Sequence, residues 1–187
     1  MKKLISLSLL LILYNGIYSQ NLNTKNLLWR NIGPANMMGR IAAIDASNKD
    51  YRKVLIASAS GGVFKSDNAG VTWESIFDKY GAGSIGSVKF DQNDLNTIWV
   101  GTGESANRNS SAWGDGIYKS TDGGKTFSNM GLKSTHQIAE IEIHPNNSNI
   151  VYAAAVGHLW GYSGERGLFR TLDGGNSWEK VLGGLPR

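Results

Sequence analysis

Cysteine is absent from the 187 residues. Disulfides, thiol nucleophiles, cysteine-ligated metals and dithiol redox chemistry are therefore excluded, and core packing and sheet hydrogen bonds must hold the fold. Long apolar runs are also scarce. The one clear run, Leu4 to Tyr14, is shorter than the ~20 residues of a membrane-spanning helix. It follows Lys2 and Lys3 and ends at Ile17-Tyr18-Ser19, so residues 1–19 read as a secretory signal peptide cleaved before Gln20. No cysteine is available there for a lipid anchor. An exported chain without disulfides suits a secreted, periplasmic or cell-surface location in a bacterium, with no membrane span after cleavage. Runs of a single charge sign are missing as well. The net charge of +4 includes Lys2 and Lys3 of the leader, and the other basic residues are scattered singly. Nucleic acid is not an expected partner. Outside the leader no stretch shows the periodicity of an amphipathic helix.

What the chain does contain is one short pattern in three copies, spaced by about fifty residues, the period of a blade-by-blade β-propeller. The copies are Ser66-Asp67-Asn68-Ala69-Gly70-Val71-Thr72-Trp73, Ser120-Thr121-Asp122-Gly123-Gly124-Lys125-Thr126-Phe127 and Thr171-Leu172-Asp173-Gly174-Gly175-Asn176-Ser177-Trp178. Each follows an alternating strand and has the chemistry of a hairpin turn. Asn68, Asp122 or Asp173 accepts from backbone N–H groups ahead of it in an Asx-type turn. Gly70, Gly124 and Gly175 supply positive φ, and the hydroxyls of Ser66, Ser120 and Thr171 bond locally. Trp73, Phe127 and Trp178 are expected to begin the next strand as packing anchors.

The pattern predicts an all-β fold of four-stranded antiparallel blades, three of them in this chain. The first cycle offers strands over 41–46, 54–60, 62–66 and 72–77. The second offers 85–90, 97–101, 116–120 and 126–130, and the third 138–144, 150–155, 167–171 and 177–182. Asp/Asn-rich turns join the first two strands of every cycle. The expected organisation is a signal peptide (1–19), an N-terminal segment (20–40) and three blades (about 41–80, 81–133 and 134–187). Leu28-Trp29-Arg30-Asn31-Ile32 has the pattern of a fourth blade strand. Closed propellers have about four to eight blades. The expectation is therefore a partial propeller, the front part of a longer protein, whose ring is closed by further blades in cis or by self-association.

The three copies resemble the Asp-box, or bacterial neuraminidase repeat, of sialidases, sortilins and related propellers. A wider set is similar to the opening of large exported bacterial sortilin-like propeller proteins, over essentially residues 26–187. It comprises Trp29-Arg30-Asn31-Ile32-Gly33-Pro34-Ala35, Gly39-Arg40-Ile41, Gly101-Thr102-Gly103-Glu104, Arg108-Asn109-Ser110, Trp113-Gly114-Asp115-Gly116 and Gly157-His158-Leu159-Trp160-Gly161. The resemblance implies that the boxes are peripheral structural staples. Such proteins often carry a glycosyl hydrolase label through the box, and no catalytic set transfers from them to this segment.

In a four-stranded blade the box turns share one end with the first-to-second-strand turns. Binding residues are expected at the opposite end, on loops held by the rigid sheets. That end collects the connectors over 33–40, 79–84 and 133–137 and two long inserts, 104–115 and 157–166. The candidate ligand-binding residues are Arg40, Glu104, Asn107, Arg108, Trp113, Asp115, His158 and Trp160, with Arg40 placed to face the central channel. Blander readings stand beside these: the two tryptophans pack the inserts down, and Glu104 pairs with Arg108 inside its own loop. The expected ligand is a protein, a peptide or a glycan, bound by a binding or scaffold module that is not catalytic by itself. The alternative is part of a glycoside hydrolase, sialidase-like or another Asp-box exo-glycosidase. Glycosidases need two carboxyls, about 5–5.5 Å apart for retention or about 6.5–9.5 Å for inversion, and Glu104 and Asp115 are the best pair on this end. No cofactor or metal is expected. Each box offers at most one carboxylate at its third position against the 6–8 oxygens of a calcium site, and His136, His144 and His158 fall at different positions of the repeat.

Overall fold

The computed structural model describes residues 40–161 and 164–182. The leader, the segment up to residue 39 with its expected strand, and the last five residues lie outside that range. Three four-stranded antiparallel sheets follow one another along the chain. The first holds β1 (Ile41–Ala46), β2 (Val54–Ser58), β3 (Gly62–Ser66) and β4 (Glu74–Ser75). The second holds β5 (Ile85–Phe90), β6 (Ile98–Thr102), β7 (Ile117–Ser120) and β8 (Ser128–Asn129). The third holds β9 (Ile138–Ile143), β10 (Val151–Ala155), β11 (Gly167–Thr171) and β12 (Glu179–Leu182). Within each sheet the strands are neighbours in sequence order. Among the described residues there is no α-helix, and no helix long and apolar enough to cross a membrane.

Two cores lie between the sheets. Leu55, Ala57 and Val63 of the first sheet meet Val88, Phe90, Ile98 and Val100 of the second. Trp99 and Ile117, on the other face of the second sheet, meet Ile138, Ile141, Val151 and Phe169 of the third. The middle sheet therefore buries both faces, and all five residues of β6 are buried. This is why Ile98-Trp99-Val100 reads as an unbroken apolar run rather than an alternation. Each fully buried aliphatic side chain contributes about 1.5–3 kcal/mol.

The fourth strands are shorter than the pattern predicts, and the box explains it. The N–H groups of Thr72, Thr126 and Ser177 donate to the side-chain oxygens of Asn68, Asp122 and Asp173 at 2.8, 2.9 and 2.9 Å. Those residues belong to the turn and cannot join the ladder, so β4, β8 and β12 start later. Trp73, Phe127 and Trp178 consequently sit ahead of the strands rather than in them. Phe127 packs on Phe77 and Tyr80 of the connector that follows β4. Trp178 meets Trp99 edge-on and donates its indole N–H to the Met130 carbonyl at 2.8 Å. Trp73, with no earlier described sheet to lie on, stays 40% exposed.

A bulge recurs at the second residue of every innermost strand. Ladder register skips at Ala42 between Ile41 and Ala43, at Gly86 between Ile85 and Ser87, and at Ala139 between Ile138 and Glu140. Bulges bend a strand and re-aim the side chains beside them. Here they act on Arg40, Ser84 and Gln137, the residues that enter β1, β5 and β9.

Candidate ligand-binding face

Backbone bonds sort the turns into two ends. At one end Ala69, Gly123 and Gly174 of the boxes donate to the carbonyls of Arg52, Asn96 and Asn149, which close the first-to-second-strand turns. Inside each box one hydroxyl does most of the work. Ser66, Ser120 and Thr171 accept from the N–H groups of Gly70, Gly124 and Gly175 at 2.8, 2.9 and 2.9 Å. They donate to Asn68, Asp122 and Asp173 at 3.0, 2.8 and 2.7 Å. The hydroxyls of Thr126 and Ser177, followed by the same residues' backbone N–H groups, hold the Asp122 and Asp173 carboxyls well below the usual range. In the first box the polarity reverses, and the Asn68 amide donates to the Thr72 hydroxyl at 2.8 Å. The boxes are closed hydrogen-bond units. Beside them a cleft of about 250 Å³ opens between the innermost strands, lined by Asp45, Lys89 and Glu142 among others.

The opposite end gathers the inserts. Glu104, two residues past β6, is 2% exposed, and its Oε1 takes an ion pair from the Arg40 guanidinium of the first sheet. The partner of Glu104 is thus Arg40, not Arg108. Arg108 is exposed and turns back on its own loop, bonding the Ser110 hydroxyl through Nε at 3.2 Å. The second oxygen of Glu104 has no hydrogen-bond partner, and neither amide atom of the fully buried Gln137 has one. The two residues come from adjacent stretches of backbone. A Cβ on Gly103, whose φ is +87°, would lie 2.0 Å from the His136 carbonyl and 2.9 Å from the Gln137 Cα. Only glycine permits that approach.

Asp115 lies in a different setting. The Tyr118 hydroxyl donates to its Oδ2 at 2.5 Å, and the Thr102 hydroxyl lies 3.3 Å from Oδ1. Its backbone is tied down by Thr102 and Asn129. Burial and then the Asp115 bond raise the Tyr118 phenol above its ordinary value. One carboxylate is thus paired with a guanidinium, and the other is held at the mouth of the β6–β7 hairpin.

Trp113 draws three loops together. Its ring meets His136 at 4.8 Å and His158 at 5.6 Å between centroids, both edge-on, and the two imidazoles stand 3.8 Å apart. The two histidines, at different positions of the repeat, are nevertheless neighbours here. His136 adopts a positive φ of 58°, and its carbonyl accepts from the Gly114 N–H at 2.7 Å. Burial, then the neighbouring His158, lower its pKa. Arg166 holds the second insert by donating to the Val156 and His158 carbonyls at 2.7 and 3.3 Å. Trp113 remains 58% and Trp160 64% exposed, and Asn107 is exposed on the tip of its loop. Among the described residues no three His, Asp or Glu side chains converge as metal ligands. The sequence names His136 only as one of three scattered histidines and offers no signal for Gln137, because only the packing of the third sheet against the second carries them beside Glu104 and Trp113.

No protein-family description matches the chain, and no curated protein matches it. Solved structures do. An ancestral GH74 enzyme aligns with a TM-score of 0.63 at 24% identity, over 77% of this chain and 18% of that one. The GH74 enzyme of Niastella koreensis aligns at 0.60 and 21% identity, over 79% of this chain and 22% of that one. YCF48 bound to D1 peptide aligns at 0.52 and 18% identity, over 76% of this chain and 39% of that one. The chain spans about a fifth of the two GH74 enzymes and about two-fifths of YCF48. GH74 and YCF48 proteins are β-propellers, and the shared arrangement makes the three sheets of this chain blades of a β-propeller.

Proposed function

We propose that this chain is a segment of an exported, sortilin-like Asp-box propeller that binds or scaffolds a protein, peptide or glycan ligand at the end opposite its boxes. The observation that carries the reading is the exposed Trp113, held edge-on to His136 and His158 beside the buried Glu104 and Gln137. A large aromatic surface next to a few fixed polar groups is the usual composition of a ligand site. The boxes, closed on their own hydrogen bonds, leave little for a ligand to engage. The peptide carried by YCF48 in its solved complex supports a peptide ligand for a propeller of this kind. The likeness to GH74 enzymes supports the second reading, part of a glycoside hydrolase.

The test is binding of the whole protein to arrays of extended peptides and of oligosaccharides, beside a turnover assay on the same glycans. Binding that falls at least tenfold in Trp113→Ala, with the fold intact by circular dichroism, is the expected result. Binding unaffected by Trp113→Ala and Trp160→Ala rejects this site. Glycan turnover that is lost in Glu104→Gln replaces the binding reading with the hydrolase.

A further inference from the structure

The Trp113, His136 and His158 rings come from three separate loops, and each touches the other two. The imidazoles are the closest pair, 3.8 Å between centres at a tilt of 47°. An N–H···N bond lies in the plane of both rings and would hold their centres about 5 Å apart. The histidines therefore meet through their faces, as neutral rings with no proton shared between them. His136 also has an unusual backbone, φ 58° and ψ −41°, which is neither helix, strand nor left-handed helix. Such conformations are held in place by their surroundings and gather at clamps and switches. Here the first insert does the holding. The His136 carbonyl accepts from the Gly114 N–H at 2.7 Å, beside the ring contact with Trp113. The Glu104 N–H and the Ser84 hydroxyl, each at 3.2 Å from the Ala112 carbonyl, also secure this stretch.

The charged groups around the joint do not offset a proton placed on it. On the first insert Glu104 is taken by Arg40, Asp115 accepts from the Tyr118 hydroxyl, and Arg108 turns back on its own loop. Lys133, in the turn that runs into His136, is exposed and cationic. On the second insert Glu165 precedes Arg166, which donates to the His158 carbonyl at 3.3 Å. Burial, then His158, disfavour a charge on His136, and no carboxylate works against them. A first proton must enter a half-buried contact. A second sets two like charges against each other.

We propose that this three-ring joint is a proton-operated latch: acidification parts the two imidazoles, releases Trp113 from His136 and opens the insert over 104–115. The closed joint is favoured above the ordinary histidine value of 6.5 and is lost as pH falls below it. The consequence for a ligand rests on the reading that Trp113 contacts it. Opening then removes a preformed aromatic surface, and binding weakens.

Amide hydrogen exchange of the full chain at about pH 7.5 and about pH 5.5, either side of the histidine range, reads the latch without a ligand. After correction for the intrinsic rates, protection of Trp113 and Gly114 is expected to fall about fivefold or more at the lower pH. Unchanged protection of β6 excludes global unfolding. The double variant His136→Asn, His158→Leu removes both titrating rings, and asparagine tolerates the positive φ. Its exchange is expected to be the same at both pH values. His144→Asn, at the box end, is expected to respond like the parent, and near-UV circular dichroism checks that each variant is folded. Parent exchange that does not change with pH overturns the latch, as does a response that survives in the double variant. Binding is read separately on the peptide and oligosaccharide arrays. A probe that needs Trp113 is expected to bind the parent about fivefold more weakly at the lower pH, and the double variant equally at both. Such a probe bound by the parent equally at both pH values overturns the proposal and leaves the ligand site standing. Binding that never depends on Trp113, with exchange still answering to pH, rejects the ligand site and keeps the latch.

Discussion

Arg40 and Glu104, 64 residues apart in sequence, form an ion pair that ties the first sheet to the insert of the second. The two ends of the pair are unequal: the arginine side chain is 39% exposed and the glutamate 2%. Removing the arginine leaves a buried carboxylate uncompensated, which costs about 3 kcal/mol. Replacing the glutamate leaves a guanidinium that water can reach, so the cost is nearer the ~1 kcal/mol of a lost hydrogen bond. Denaturant unfolding of Arg40→Ala and Glu104→Gln is expected to place the arginine variant well below the other.

The boxes predict an acid response. Asp122 and Asp173 have their pKa depressed from the ordinary 3.8, chiefly by the Thr126 and Ser177 hydroxyls. A depressed carboxyl stabilises the fold above its unfolded pKa, and that contribution is lost as pH falls through the folded value. The unfolding midpoint should therefore drop below about pH 4. Asn68 shows that an amide can fill the same position without titrating. The double variant Asp122→Asn, Asp173→Asn is expected to give a flatter curve of midpoint against pH over that range.

The histidine pair predicts a second response at higher pH. His136 has its pKa lowered from 6.5 by burial, then by His158. The unfolded chain binds that proton more readily than the folded one, so stability is lost as pH falls through about 6.5. Arg166, which donates to the His158 carbonyl, adds a cation to the same corner. Replacing His158 with leucine removes one of the two causes, brings the folded pKa back toward 6.5 and should make the loss smaller. Thermal melts between pH 8 and about 5 measure it, with Trp113 fluorescence reporting on the joint.

A backbone test separates strain from crowding. Gly175 sits at φ +102°, and a Cβ there would lie 2.7 Å from the Trp99 ring. Gly161 has a comparable φ of +92° with nothing within 4 Å. Gly161→Ala is expected to cost about 1 kcal/mol, the penalty of a left-handed alanine. Gly175→Ala adds the crowding of a packed core and should cost about 2–4 kcal/mol in total. Equal losses in denaturant unfolding would show that Trp99 gives way.

The sequence by itself determined the three blades. Turn chemistry is local: a hydroxyl, an Asx acceptor and a positive-φ glycine within eight residues specify a hairpin whatever surrounds it, and their recurrence counts the sheets. The alternating strands between boxes, from Gly62-Val63-Phe64-Lys65 onward, followed from the same periodicity. The late start of β4, β8 and β12 did not, because it depends on which N–H the Asx side chain captures. The candidate site was legible only as two inserts at one end. That Glu104 answers to Arg40 and not to Arg108, that Asp115 is taken by Tyr118, and that His136 lies against His158 were decided by the tertiary structure. Tyr118 is three residues from Asp115, and the turn into β7 sets that bond. Arg40 and Glu104 belong to different blades and His136 and His158 to different loops, so only the packing of sheets and the recurring bulge bring them within reach.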